Sequence, residues 1–109
     1  MKRGDVVLVV VPSELGRARP GVIVQADELG DGLSTTFVCP ISSDIQEGLS
    51  LRPIIEASPS NGLRLRSQIM TDKMIALRRD RIRSVIGRVG AETSEQLDRA
   101  LLLMLGLAR

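Results

Sequence analysis

Histidine is absent from the 109 residues. With it go the commonest general base near neutral pH, the Ser-His triad and the usual zinc ligand sets. Any catalysis therefore falls to Arg, Lys, Asp, Glu, Ser or Thr. Trp and Tyr are also missing and Phe37 is the sole aromatic, so the chain cannot build the ring platform on which single-strand-binding modules stack bases. A bound nucleic acid would be held by charge and hydrogen bonds. Cys39 stands alone, which excludes an intrachain disulfide and a cysteine metal cluster and leaves a buried structural thiol as the expectation. The longest apolar run near the start, Val6 to Val11, falls far short of the roughly 20 residues that a membrane span needs. No cleavage-site pattern follows it, so a cytoplasmic protein without a membrane partner is expected.

What is present fits one folded unit. A chain of 109 residues divided into two cores would leave each half too small to offset its conformational entropy, so a single domain over 1–109 is expected. At 43% hydrophobic and 26% charged residues the composition is that of a folded globular chain, neither disordered nor membrane-embedded. The formal net charge is only +2, but it is unevenly placed. Residues 61 to 88 carry Arg64, Arg66, Lys73, Arg78, Arg79, Arg81, Arg83 and Arg88 against Asp72 and Asp80, or 8 − 2 = +6. Such asymmetry suits a polyanionic partner, and it equally suits a solvated strand face.

Hydrophobic periodicity predicts a mainly β chain. Val6 to Val11 is β-branched and too short for a helix, and reads as a central strand buried on both faces that ends at Pro12. Residues 13 to 18 form a polar loop. Pro20-Gly21 opens a second strand, Val22 to Ala26, with Arg19 at its mouth. Asp31-Gly32 marks a turn into a third strand, Thr35 to Cys39, which makes a hairpin. Ser42, Ser43 and Asp44 resemble the N-cap of a short helical turn through Glu47. A fourth strand is expected over Leu51 to Ala57, followed by the turn Ser60-Asn61-Gly62. Leu63, Leu65 and Ile69 then alternate with polar residues, as in a strand with one wet face. Lys73 to Leu77 and Ser84 to Val89 complete the strands, with one helical turn over 80 to 83 between them.

From Thr93 the period changes to that of a helix. Thr93 and Gln96 have capping-box spacing, and Leu97, Ala100, Leu101, Met104, Leu105 and Ala108 recur at three and four residues. Leu102, Leu103 and Leu107 widen the apolar face beyond one stripe, so part of this helix is expected to pack on a partner subunit. The fold class expected is mainly β (α+β): a small, SH3-like, strongly curved antiparallel sheet or barrel with short helical turns and a C-terminal amphipathic helix.

Four segments carry a family resemblance. Arg3-Gly4-Asp5-Val6-Val7-Leu8-Val9 resembles the opening of the MazF/PemK toxins, and Arg19-Pro20-Gly21-Val22-Ile23-Val24 is similar to the Arg-Pro motif that begins their second strand. Val38-Cys39-Pro40-Ile41-Ser42-Ser43 resembles their strand-to-hydroxyl segment, and Ser67-Gln68-Ile69-Met70-Thr71-Asp72-Lys73 their strand and acidic residue near the active site. The resemblance implies a homodimeric toxin of a type II toxin-antitoxin system. Its activity would be that of a metal-independent, cofactor-free endoribonuclease, cutting single-stranded RNA through a 2′,3′-cyclic phosphate and restrained by an acidic antitoxin. Arg19 matches the catalytic arginine, Ser42 a position commonly threonine, and Asp72 an acidic residue used in some members. Three positions depart from the pattern: Ser13 stands where some members have histidine, Met70 where some have an active-site arginine, and Ile75 where a basic residue is common.

RNA carries its own nucleophile, so the enzyme has to deprotonate a 2′-OH, stabilise a phosphorane and help the 5′-oxygen leave. Arg19 suits the phosphorane, because a guanidinium offers several fixed donors. Ser42 suits a phosphate oxygen or the 2′-OH, with backbone N–H groups of the following turn as its helpers. Asp72 has two readings: a base, if burial raises its pKa, or an orienter of Arg19 or a neighbouring lysine. Arg17, Ser43, Arg64, Arg66 and Lys73 are expected as RNA contacts. The alternative reading is a non-catalytic toxin on the same fold, like the gyrase-poisoning CcdB proteins, and a third is a small RNA-binding module.

Overall fold

Val6, Val7 and Val9 are almost completely buried, yet they point to opposite faces of one strand, so the first strand has protein on both sides. The computed structural model describes residues 1–11, 16–48 and 51–108. This strand, β1 (Asp5–Val10), lies between β2 (Ala18–Ile23) and β7 (Ile82–Arg88), antiparallel to both. The chain continues through β3 (Thr35–Ser42), β4 (Ile54–Ile55), β5 (Ser67–Ile69) and β6 (Ile75–Arg78). The order across the sheet is β4-β5-β3-β2-β1-β7, and β6 pairs with the first half of β3. Two register irregularities between β1 and β7, at Val6/Val7 and Leu8/Val9, add local twist and curl the sheet. The result is a mainly β, strongly curved antiparallel sheet with, among the described residues, a single α-helix at its end.

The curl creates two apolar clusters. Val6, Val22, Cys39, Ile41 and Ile69 form one, closed by Leu97 and Leu101 of the helix α1 (Ala91–Met104). Val7, Val9, Ile23, Val38 and Leu77 form the other. Neighbouring residues thus fall into different clusters, as a strand's period of two requires.

The Arg3-Gly4-Asp5 motif ties the edges of this arrangement together. Arg3 Nε donates to the Val24 carbonyl at 3.0 Å, and its Nη1 lies 2.8 Å from Asp98 on α1. Asp5, 8% exposed, accepts the Lys2 N–H and pairs with Arg88 at the end of β7. Those charges join β1, β2, β7 and α1.

Several elements differ from the sequence expectation. Pro12 and residues 13 to 15 of the expected loop, with Ser13 among them, lie outside the described residues. No helical turn follows Ser42: the Asp44 N–H donates to Ser42 Oγ at 3.1 Å, and this local bond replaces a cap. The expected strand over 51 to 57 is reduced to two residues and the one over 63 to 70 to three. Their side chains explain why. Asn61, 5% exposed, accepts the N–H groups of Ser58 and Leu63 and donates to the Glu56 carbonyl, which commits residues 56 to 63 to a folded loop. Leu65 is 62% exposed, while Ser67, Gln68 and Ile69 are all buried, so no wet-face alternation exists there. Lys73 belongs to a 3-10 turn (Thr71–Lys73), and the turn expected over 80 to 83 is a 3-10 turn at Arg79–Arg81.

α1 begins two residues before the expected cap. The Val89 N–H donates to the Gly4 carbonyl, Gly90 is extended, and Ser94 N–H makes the first helical bond back to Gly90, so Thr93 and Gln96 sit inside the helix without a capping role. It ends in a Schellman motif: Gly106 has φ +74, Leu107 N–H reaches the Leu102 carbonyl and Gly106 N–H the Leu103 carbonyl.

The loop around Asn61 seats on β7 through backbone contact. A Cβ on Gly87 would lie 2.4 Å from the Asn61 carbonyl carbon, and one on Gly62 would lie 2.3 Å from the Ile86 oxygen. Gly87→Ala should therefore lower stability by about 1–3 kcal/mol, the usual cost of overpacking against atoms that cannot yield. Gly32→Ala, where nothing lies within 4 Å, should stay within about 0.5 kcal/mol of wild type. Thermal unfolding followed by circular dichroism compares the two; equal midpoints would show that the loop is not seated on β7.

Candidate active site

Pairing between β2 and β3 stops at Gly21↔Pro40. Continued by two steps, that register would set Arg19 opposite Ser42. The strands instead part, because β3 turns its last residues to β5, with Ile41↔Ile69 and Ser42↔Gln68. Pro20 and Pro40 stand at the fork, and neither has an N–H with which to bridge it. The close strand approach just before the fork depends on Gly21, where a Cβ would meet Val38 at 2.7 Å.

The fork opens into a cavity of about 680 Å³, within the range typical of small-molecule and cofactor pockets. Arg19 and Pro20 form one wall, and Ser42, Ser43 and Asp44 the facing one. Leu8, Pro40, Ile41, Leu63, Leu65 and Ile86 supply apolar surface, and Gly62, Arg64, Ser67 and Met70 complete the lining. The cavity thus brings two cations, the Ser42 and Ser43 hydroxyls and one carboxylate together over an apolar floor. Ser42 is half-buried and fixed through the Asp44 N–H, whereas Arg19 and Arg64 are exposed.

Of the residues expected from sequence, Arg19, Ser42, Ser43 and Arg64 come together here. Arg66 does not: it pairs with Glu56 at 2.8 Å and lines a smaller hollow beside Arg52 and Gln68. Arg17 is exposed just before β2, and Lys73 is exposed on its 3-10 turn; neither lines the cavity. The +6 segment is also dispersed, since Arg79 clasps the carbonyls of Gly30 and Leu33, Arg78 pairs with Asp80, and Arg88 with Asp5.

Asp72 departs most from expectation. It is absent from the cavity lining, and its hydrogen-bonded partner is Arg52, while Lys73 acts on it through charge alone. Arg52 grips it through two parallel bonds, Nε to Oδ1 at 2.7 Å and Nη2 to Oδ2 at 2.9 Å. Those bonds hold the Asp72 carboxyl below its ordinary range and outweigh the desolvation that would raise it. A carboxylate so held is a weaker base than a free one. Burial dominates at Cys39, whose thiol is pushed up to about 12, as suits a fully buried structural cysteine.

Sequence reasoning missed Arg52 and Gln68. Arg52 lies in a segment that reads as a strand and carries no motif, yet it is only 9% exposed. Its Nη1 donates to Gln68 Oε1 at 2.8 Å. Gln68, 1% exposed, stands out in the sequence only as one member of a longer motif. A buried amide facing a buried guanidinium leaves no periodic trace.

Residues 2–105 match the model of a family described as the PemK-like, MazF-like toxin of type II toxin-antitoxin system. A protein of Mycolicibacterium smegmatis named "Probable endoribonuclease MazF" is 32% identical over 109 residues, covering 99% of each chain. Among solved structures, the Mycobacterium tuberculosis toxin MazF-mt6 superposes with a TM-score of 0.82 at 21% identity, over 96% of this chain and 99% of that one. A mycobacterial endoribonuclease, solved in complex with its cognate antitoxin, gives a TM-score of 0.83 at 18% identity, over 100% of this chain and 98% of that one. No helix among the described residues is long and apolar enough to cross a membrane. Family match, sequence relatives and shared fold run over nearly the whole length, and the chain belongs to the PemK-like, MazF-like toxins of type II toxin-antitoxin systems.

Proposed function

We propose that the chain is a cytoplasmic endoribonuclease, a single toxin domain over 1–109, that cuts single-stranded RNA in the cavity at the β2–β3 fork. The observation that carries this reading is the placement of Arg19 and Ser42 on facing walls of that cavity, in a chain whose relative is named an endoribonuclease. In the reaction the substrate's 2′-oxygen attacks the adjacent phosphorus and loses its proton, the P–O5′ bond breaks, and O5′ takes up a proton. The products are a 2′,3′-cyclic phosphate and a 5′-hydroxyl. The guanidinium of Arg19 donates to the non-bridging oxygens as charge builds on the phosphorane. Ser42 already accepts one bond from Asp44 N–H, so its own O–H remains to donate to a phosphate oxygen. The apolar floor of Leu8, Leu63 and Ile86 takes a base without an aromatic stack.

Arg19→Ala should lower the cleavage rate constant by about 10²–10⁴, the range for loss of a positioned charge-stabilising group, and change RNA affinity less. Ser42→Ala should cost about tenfold, since one neutral hydrogen bond is worth ~1 kcal/mol or somewhat more in the transition state. Single-turnover cleavage of an RNA oligonucleotide measures both, and wild-type turnover in Arg19→Ala would refute the assignment. Arg64→Ala should reduce the log-log salt dependence of RNA binding by roughly 0.7, the slope contributed by one neutralised phosphate of a single strand. Arg66→Ala, away from the cavity, should leave that slope unchanged. The reverse pattern would place the RNA in the smaller hollow beside Arg52.

Two partners complete the proposal. Leu102, Leu103, Leu105 and Leu107 are 42–72% exposed at the end of α1, an apolar surface suited to a second copy of the chain. An acidic, flexible antitoxin segment would cover the cavity or the apolar surface beside it, as a disordered chain wraps a folded one. Sedimentation at micromolar concentration should give twice the 11.8 kDa chain mass. A fully active monomer would contradict the dimer.

A further inference from the structure

Behind the Ser42 wall lies a polar cluster that the cleavage chemistry does not use. Gln68 pairs in register with Ser42. Its side-chain oxygen accepts the Gln46 N–H at 3.3 Å, and its Nε2 donates to the Gln46 carbonyl at 3.4 Å. The same oxygen accepts Arg52 Nη1. Arg52 in turn is held by the two bonds to Asp72. The order is therefore Asp72 to Arg52 to Gln68 to Gln46, and Gln46 lies four residues beyond Ser42, just past the cavity wall of Ser42, Ser43 and Asp44.

Each step of this chain is fixed by its surroundings. The Arg52 side chain is 7% exposed and the whole of Gln68 is 1% exposed. A guanidinium engaged at three nitrogens has one orientation, and that orientation fixes the amide it faces. Residues 43 to 48 form no helix or strand, and within them Asp44 has the local bond to Ser42 and Gln46 the two bonds to Gln68. The 51–53 strap behind Arg52 is anchored separately, by Thr71 Oγ1 on the Leu51 carbonyl and by Ile69 N–H on that of Pro53.

We infer that Arg52, with Asp72 and Gln68, is a positioning unit for RNA cleavage: it sets the backbone at Gln46 and through it the placement of Ser42 and Ser43 in the cavity wall. The inference rests on the endoribonuclease reading and deepens it. It also gives the acidic residue of the family motif a different task in this chain. Asp72 orients the cluster and takes no proton from substrate.

Arg52→Met keeps length and removes the fork of donors, and Asp72→Asn leaves one oxygen to accept from Arg52. In Arg52→Met the Gln46 amide proton should exchange with solvent at least about tenfold faster by NMR, while the Val7 and Val22 amides keep their protection. On an RNA oligonucleotide kcat should fall by up to about tenfold, no more than Ser42→Ala costs, with KM changed less than about twofold, as expected when reacting groups are misplaced but the binding surface stays. Asp72→Asn should show the same pattern at smaller amplitude, about threefold, with the shape of its pH-rate profile kept; it decides the matter alone if Arg52→Met does not fold. Unchanged Gln46 exchange with unchanged kcat would overturn the inference. So would a rise in KM alone, which would make Arg52 an RNA contact, or loss of the acid limb in Asp72→Asn, which would make Asp72 the base. The exchange measurement needs no RNA. A wild-type protein without ribonuclease activity would sink the functional reading, while failure of Gln46 to respond would sink only the positioning unit.

Discussion

A strand of six residues that must be dry on both faces governs the rest of this structure. β1 places Val6 in one apolar cluster and Val7 and Val9 in the other, yet the described residues supply only one α-helix to cover a face. α1 covers the side of Val6. The other side has to be closed by the sheet itself, which curls so that Val38 of β3 and Leu77 of β6 meet Val7 and Val9. Curling of this degree needs a place where strands may part. The Gly21↔Pro40 pair ends the β2–β3 ladder, and the fork beyond it opens the cavity. The site is thus a consequence of how a small sheet hides a doubly buried strand.

The same economy explains the polar groups. A chain without histidine and with a single aromatic residue makes many of its tertiary polar contacts with arginine, amide and carboxylate. Arg3 clasps α1 and the residue after β2, Arg88 clasps Asp5, Arg79 clasps the loop before β3, and Arg52 anchors the back of the cavity wall. Arginine suits this task because its planar fork satisfies several acceptors at once and keeps its charge when buried. Much of the charge that reads in sequence as a surface for a polyanion is therefore structural. Arg19 and Arg64 are the two arginines among the described residues that line the cavity.

Strong periodicity made the fold legible, and chemistry at single positions did not. The β-branched run at Val6 and the helical spacing from Leu97 fall where their patterns place them, since each buries a continuous face. The second strand, expected over Val22 to Ala26, instead runs from Ala18 to Ile23 because Ala18 to Val22 pair with β1, and Pro20-Gly21 lies inside it. The segment from 51 to 70 misleads because its apolar residues do not serve one face: Ile55 and Ile69 are buried while Leu65 is exposed. Asn61, a turn signal in the sequence, organises a whole loop seated on β7. Arg19 and Ser42 are reached through motif resemblance, and the fork accounts for why both lie at strand ends. Asp72 is reached by the same route, but its partner lies 20 residues upstream. No local pattern reports that Arg52 points inward.

The proposed chemistry would have RNA cut by its own 2′-oxygen at the β2–β3 fork. Its most direct measurement is the identity of the ends. Purified protein incubated with a single-stranded RNA in EDTA should yield fragments whose masses correspond to a 2′,3′-cyclic phosphate on one side of each cut and a 5′-hydroxyl on the other. Fragments bearing 5′-phosphate and 3′-hydroxyl ends, cleavage that requires added magnesium, or intact RNA together with inhibition of DNA gyrase would contradict it.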